Sequence, residues 1–336
     1  KCEILTESYN EAEDLSMISS ANCYIISKEG LYSFRPVKGN SSRSVGEVAS
    51  VDVIWESFGT LSVPEVGELI SEAYLQSGKI YFRTSSIFKK GNAVIAAKDS
   101  SGDILWSWHI WLTDEPGEQI YWGDGGIVMD RNLGAISSEL GNCGASGLLY
   151  QWGRKDPFPG MYGVNVGAVK SNGEFTSVSF SAKIGTVDYA ICHPTTFISG
   201  DSVNGDWNSR KEDGLWSSQK TIYDPCPSGW RVAGEERTGS TDNIWITASG
   251  LSTEFSSTYD SENKGINFYG VFGGDGVIWY PATGFITSKG DLISTNSGGV
   301  WTVTPSGKGA ISLYYSAKGV VNPFRLSRRS LGQAVR

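Results

Sequence analysis

Histidine is scarce: among 336 residues there are two, His109 and His193. A histidine-based zinc site or catalytic relay would have to use one of them. His109 falls on an aromatic strand face, where packing is expected. His193 falls in the turn Cys192-His193-Pro194, with no acid–nucleophile pattern beside it. The five cysteines (Cys2, Cys23, Cys143, Cys192, Cys226) contain no C-x-x-C pair, which excludes a zinc ribbon or a thioredoxin-type motif. No run of about 18 apolar residues occurs, so no transmembrane helix is expected. Lys1 stands ahead of Cys2, which argues against a lipid anchor there. Charged residues make up only 19% and the net charge is −8. With no basic stripe, nucleic acid and anionic membranes are unsuitable partners.

What is abundant is glycine, with 42 residues, and aromatics, with Trp 12, Tyr 15 and Phe 13. That mixture describes a turn-rich, mainly β (β or α+β) protein, and the length suits two domains. Residues 1–19 read as a polar, acidic lead-in. Short β runs follow at Cys23–Ile26 and Leu31–Phe34. Val51, Val53 and Trp55 alternate as one strand face. Ile70–Leu75 and Lys79–Thr84 flank Ser77-Gly78 as a hairpin. Asn92–Lys98 and Asp103–Leu112 form a second hairpin. Ile104, Trp106, Trp108, Ile110 and Leu112 share one face of its return strand, and Leu105, Ser107, His109 and Trp111 share the other. Thr113-Asp114-Glu115-Pro116-Gly117 breaks the pattern, so the expected domains are a β-sandwich over 20–116 and a second unit over 117–336.

The second unit is denser in glycine and less regular. A short helix is conceivable within Ser138–Trp152, weakened by Gly141, Gly144 and Gly147. Strands are expected at Ile278–Tyr280, Trp301–Thr304 and Ile311–Tyr315, and Gly153–Ser218 reads mostly as loop. The glycine clusters Gly123–Gly126 and Gly273–Gly276 lack a phosphate-loop context and read as turns.

Several strings resemble one family. They are Ser20–Lys28, Gly91–Asp99, Ile104–Trp111, Met129-Asp130-Arg131-Asn132-Leu133-Gly134-Ala135, Gly147–Phe158, Tyr223-Asp224-Pro225-Cys226-Pro227-Ser228-Gly229-Trp230-Arg231-Val232 and Tyr280–Phe285. Together they are similar to fimbrillin-type surface proteins of the Bacteroidales, found at pilus tips. The second half resembles the Fibrobacter succinogenes major paralogous domain. The resemblance implies a C-type-lectin-like architecture for 117–336 and a place on the cell surface or fimbrium, at the outer membrane. It also implies adhesion or assembly with pilus subunits. Such domains commonly close on Val-Arg-Cys, whereas this chain stops at Ala334-Val335-Arg336. That implies a partner for Cys226 beyond Arg336 and a free Cys226 here.

No catalytic residues and no cofactor are expected. A formylglycine-type oxidase would need a late cysteine pair, and nothing after Cys226 supplies one. The alternative is a carbohydrate-active protein, either a binding module or a glycosidase with two facing carboxylates. The ligand-binding candidates are Asp206, Trp207, Asn208 and Trp216, from the longest loop-like stretch. Stacking rings beside hydroxyl-directed amides and carboxylates suit a glycan or protein ligand without a metal. Trp207 is expected to be partly exposed, with Asp206 and Asn208 pointing the same way. Asp206-Trp207-Asn208 lacks the order and the partner string of a lectin calcium site. Trp152-Gly153-Arg154-Lys155-Asp156 reads as a structural knot in which Arg154 pairs with Asp156. Arg325, Arg328, Arg329 and Arg336 read as a solvated strand face. Any intrachain disulfide is expected at Cys143–Cys192, with Cys23 a buried thiol.

Overall fold

A computed structural model describes residues 12–121, 126–160, 179–200, 205–234, 244, 257–269, 276–288 and 290–336. The protein is mainly β, with several small sheets and little helix. Cys2 and most of the two glycine clusters, 123–125 and 273–275, lie outside the described residues.

Among the described residues, eight strands precede Pro116: β1 (Glu13–Asp14), β2 (Cys23–Ile26), β3 (Leu31–Phe34), β4 (Ser50–Ser57), β5 (Ile70–Gln76), β6 (Lys79–Thr84), β7 (Gly91–Lys98) and β8 (Ile104–Leu112). They form two four-stranded sheets, ordered β1-β3-β6-β5 and β2-β8-β7-β4. The sheets enclose a core of Tyr24, Ile26, Tyr32, Phe34, Ile80, Phe82, Ile95, Trp108 and Ile110. Phe34 meets Trp108 edge-on, with ring centroids 5.1 Å apart. The β5–β6 turn places both Ser77 (φ 47°) and Gly78 (φ 76°) in the left-handed region, the two-residue geometry that matches strand twist. The expected pairing of 92–98 with 103–112 is present in antiparallel register.

Expectations about the first strands need correction. Glu13–Asp14 is not lead-in: it runs parallel to β3 as an edge strand, and Asp14 is tied to Lys79 at 2.8 Å. Nor do Val51, Val53 and Trp55 share a face. A bulge between Val53 and Trp55 reverses the alternation, because one extra residue turns every later side chain over. Val51 and Val53 therefore face the sandwich core, while Trp55 faces the other way.

Sheet pairings change over near Pro116: β8 ends at Leu112, and Glu118–Ile120 pairs with Ile127–Met129 in a separate sheet. The core does not change over there. The outer face of the β2-β8-β7-β4 sheet contributes Cys23, Trp55, Val94 and Trp111 to a second cluster. It is completed by Leu133, Tyr150, Trp152, Trp207, Trp216, Cys226, Trp301 and Val335. Asn22 Nδ2 donates to the carbonyls of Ile222 (2.7 Å) and Asp224 (2.8 Å). Asn92 Nδ2 donates to Gly134 O at 2.9 Å.

Beyond that contact, a meander of Ser297–Ser306, Gly309–Ser316 and Val321–Arg328 and a three-stranded sheet of Ser257–Asp260, Gly265–Phe268 and Ile278–Pro281 enclose a third cluster around Phe268, Tyr280, Val300, Leu313 and Tyr315. Within Ser138–Trp152 the only helical turn is Cys143–Ala145. The stretch read as loop contains helix α1 (Val187–Cys192) and the parallel pair Ser179–Ser181 with Thr196–Ile198. The Trp152–Asp156 knot is differently wired. Arg154 donates to Gln151 Oε1 (3.0 Å) and to the carbonyls of Thr196 (2.7 Å) and His193 (3.2 Å). Asp156 instead holds Lys155 Nζ at 2.5 Å and accepts from Ser107 Oγ at 2.6 Å. Arg329 and Arg336 are buried rather than solvated. Cys143 and Cys192 are free thiols, one on the 3₁₀ turn and the other exposed at the end of α1.

Two stability effects follow. Asp156→Ala strands the buried Lys155 ammonium and should cost about 3–5 kcal/mol in urea unfolding. The Lys155→Met, Asp156→Leu pair should lose less, because no buried charge is left over. His109 is buried, and its imidazole is held down at about 3 by that burial; its Nε2 lies 2.9 Å from Asn92 Oδ1. The unfolded chain binds the proton below about pH 6.5 and the folded chain does not. Wild type should therefore lose about 1.4 kcal/mol per pH unit between roughly 6 and 4 relative to His109→Gln. Parallel pH curves for the two proteins would contradict this.

Candidate functional site

The segment that carried the sequence-level candidates is anchored at both ends. An isolated parallel bridge joins Asn208 to Gly185, just ahead of α1. Thr186 caps that helix by accepting from Tyr189 N, the usual service of a Thr N-cap. Gly205 turns the chain with φ 67°.

Trp207 is not partly exposed, as expected, but 1% exposed. Its indole Nε1 donates to Trp152 O at 2.7 Å, and its ring lies 5.7 Å from the Arg154 guanidinium. It is a plug. Asp206, Asn208 and Trp216 are buried as well, so none of the four candidates presents itself to a ligand. A tryptophan flanked by Asp and Asn looks like a sugar site in sequence because the same groups serve a tight loop. Asp206 Oδ1 accepts from Asn208 N at 2.9 Å, and Asp206 Oδ2 faces Arg329 Nη1 at 3.4 Å. Burial raises the Asp206 pKa, and the Asn208 N–H and Arg329 oppose that. Trp216 Nε1 donates to Tyr223 O at 2.9 Å.

Asp206, Asn208 and Trp216, with Arg329, instead form the footing of a surface cleft of about 500 Å³. Its walls are Val187 and Asp188 of α1, then Arg210, Glu212, Asp213, Gly214, Leu215 and Tyr223. The footing fixes the walls directly. Asn208 Oδ1 accepts from Arg210 N at 3.1 Å, and Asn208 Nδ2 donates to Glu212 Oε2 at 2.9 Å. Arg329, buried, binds Asp213. Lys211 takes φ 52° at the bend. Tyr223 reaches the cleft from the other side, with its ring 6.1 Å from that of Trp106 on β8. Burial, then the charges of Glu212 and Asp188, push its pKa up, so it remains a neutral phenol able to donate. The cleft thus offers carboxylate acceptors, a guanidinium and a phenol.

The wall residues went unread in the sequence although a signal was present: the charged run Arg210-Lys211-Glu212-Asp213 begins three residues after Trp207. No group of three or more His, Cys, Asp or Glu is arranged to hold a metal among the described residues. His193 is exposed and stacks on Tyr189, with ring centroids 4.0 Å apart.

Trp207→Ala should cost about 3–5 kcal/mol, as for a fully buried aromatic, measured as a lowered midpoint in thermal unfolding. An unchanged midpoint would put Trp207 back on the surface.

Comparison with protein-family models, with curated proteins and with solved structures finds no match to this chain.

Proposed function

We propose that the chain is a cell-surface or pilus-tip protein of the fimbrillin type. In this reading it acts in adhesion or assembly and holds a glycan or protein ligand in the cleft between α1 and residues 210–215. The observation that carries this reading is the footing of the cleft. Its polar walls are fixed by buried Asp206, Asn208 and Arg329, so a ligand meets a surface already ordered. Preorganisation of this kind saves the ordering cost of binding. The string resemblance supplies the surface location and the pilus partners, and its second-domain part supplies the lectin-like reading of 117–336.

Lys155, Arg154 and His109 have their pKa values lowered by burial, and all three are sealed in the interior. The three carboxylates in the cleft keep a second reading in view, a carbohydrate-active protein in which two of Asp188, Glu212 and Asp213 act as an acid–base pair.

A glycan array probed with the full chain tests both. Arg210→Ala and Glu212→Ala should each weaken a positive interaction about tenfold or more, with the melting temperature unchanged. Binding that survives both substitutions would move the site elsewhere. Release of reducing sugar from a bound glycan, abolished by Glu212→Gln, would replace adhesion with hydrolysis.

A further inference from the structure

The cleft between α1 and residues 210–215 carries more negative charge than its cations cancel. Arg329 serves two carboxylates, Asp206 at 3.4 Å and Asp213, so that trio keeps one negative charge. Glu212 is held by the neutral amide of Asn208, which leaves its charge in place. Asp188 is exposed in the first turn of α1. Among the described residues neither Asp188 nor Glu212 has an ion-pair partner. The cation in the walls is Arg210.

Two groups outside this count sense the same field. Burial, then Glu212 and Asp188, raise the Tyr223 phenol, and Arg43 opposes them less strongly. At the far end of α1, burial, then Asp103, Asp188 and Asp99, raise the Cys192 thiol. The negative field therefore continues past the cleft along the six residues of α1, about 9 Å. A metal ion does not match it, since no group of three or more His, Cys, Asp or Glu is arranged to hold one among the described residues. An anionic glycan would meet like charge. The walls also include Val187, Leu215 and the Tyr223 ring. Apolar walls under carboxylates suit a methylene stem that ends in an ammonium, and a phenol face attracts such a cation.

We propose that the ligand of this cleft is a lysine-rich segment of a protein partner. One lysine lays its stem on Val187 and Leu215 and brings its ammonium to Asp188 and Glu212. Further lysines face the Asp99–Asp103 turn along α1. Arg210 and the Tyr223 phenol serve main-chain carbonyls of the segment. The inference rests on the cleft reading above and narrows its ligand to a basic protein. Charge complementarity of this kind speeds association and is weakened by salt.

The test is fluorescence anisotropy of labelled tetralysine, and of its fully Nε-acetylated twin, with the full chain. Tetralysine should bind, more weakly as salt is raised, and the acetylated peptide about tenfold more weakly or worse, a loss of about 1.4 kcal/mol. The Asp188→Asn, Glu212→Gln variant should lose tetralysine by a similar factor with an unchanged melting temperature. Where that pair lowers the melting temperature, Asp188→Asn alone, at an exposed position, should still weaken binding. The Glu65→Gln, Glu118→Gln variant removes the same charge from exposed residues outside the cleft and should match wild type. Equal losses in the two double variants would overturn the proposal, because the net charge of −8 alone would then explain the attraction. Equal binding of the acetylated peptide, or no binding of tetralysine, would overturn it too. A neutral glycan held by wild type and lost on Glu212→Ala, with tetralysine unbound, would refute the basic ligand and leave the cleft standing as a site. If no cleft substitution moves either ligand, both readings fall.

Discussion

Buried backbone in irregular segments must find hydrogen-bond partners that no sheet supplies, and here side chains supply them. Trp111, Trp152, Trp207, Trp216 and Trp301 each donate an indole N–H to a main-chain carbonyl, at 2.7–3.0 Å. Gln151 serves Ile198 O and Ser330 O. Arg336 serves Met129 O, Trp279 O and Asp130 O. On the acceptor side, Glu56 takes the N–H groups of Gly67, Leu69 and Ile70. An unpaired buried polar group costs about 1–3 kcal/mol, so without these donors and acceptors the loops could not lie inside. A tryptophan suits the role because it adds a large apolar surface to one directed donor.

The same requirement separates structure from function. A charged residue spent on carbonyls is not available for chemistry, however far its pKa is shifted. Arg154 is held down at about 10 by burial, yet its guanidinium is spent on Gln151, Thr196, Ala190 and His193. The groups still open to a ligand are those the wiring leaves on the outside, Arg210, Glu212 and Asp213 among them. They are fixed in place because Asp206, Asn208 and Arg329 beneath them are buried.

Strands could be read from sequence wherever a period of two ran unbroken. The β8 faces from Trp106 to Leu112, the Ser77-Gly78 turn and the strands at Cys23, Leu31 and Lys79 were all legible for that reason, whereas a bulge at Leu105 breaks the alternation ahead of Trp106, so Ile104 does not continue that face and Leu105 packs on the sandwich core instead. The β4 bulge was not, since one extra residue leaves no mark in composition. Nor was α1, whose six residues are too few to show a 3.6-residue period; its only signal is Thr186 three residues ahead of Tyr189. In the Arg154-Lys155-Asp156 run, sequence offered two cations for one carboxylate. The choice of Lys155 rests on Ser107, a residue from the other half of the chain. The four candidate side chains proved to be buried rather than exposed on their loop, because burial of Trp207 depends on the distant carbonyl of Trp152.

The position of the joint between the halves explains why the sheet boundary and the core boundary differ. The β2-β8-β7-β4 sheet has two apolar faces. Strands buried on both faces lose the polar alternation of a surface sheet, and β7 reads Gly-Asn-Ala-Val-Ile-Ala-Ala-Lys accordingly. On the inner face, Trp108 and Ile110 complete the sandwich. On the outer face, Cys23, Val94 and Trp111 need a cover, and the polar residues there, Ser107 and Asn92, are bonded to Asp156 and Gly134 across the joint. A cut at Pro116 would therefore expose a tryptophan-bearing sheet face on one side and a buried lysine–aspartate pair on the other. The loop-rich half borrows its floor from the sandwich. The wall of the cleft that Tyr223 forms rests against Trp106 of β8, so the candidate site depends on both halves.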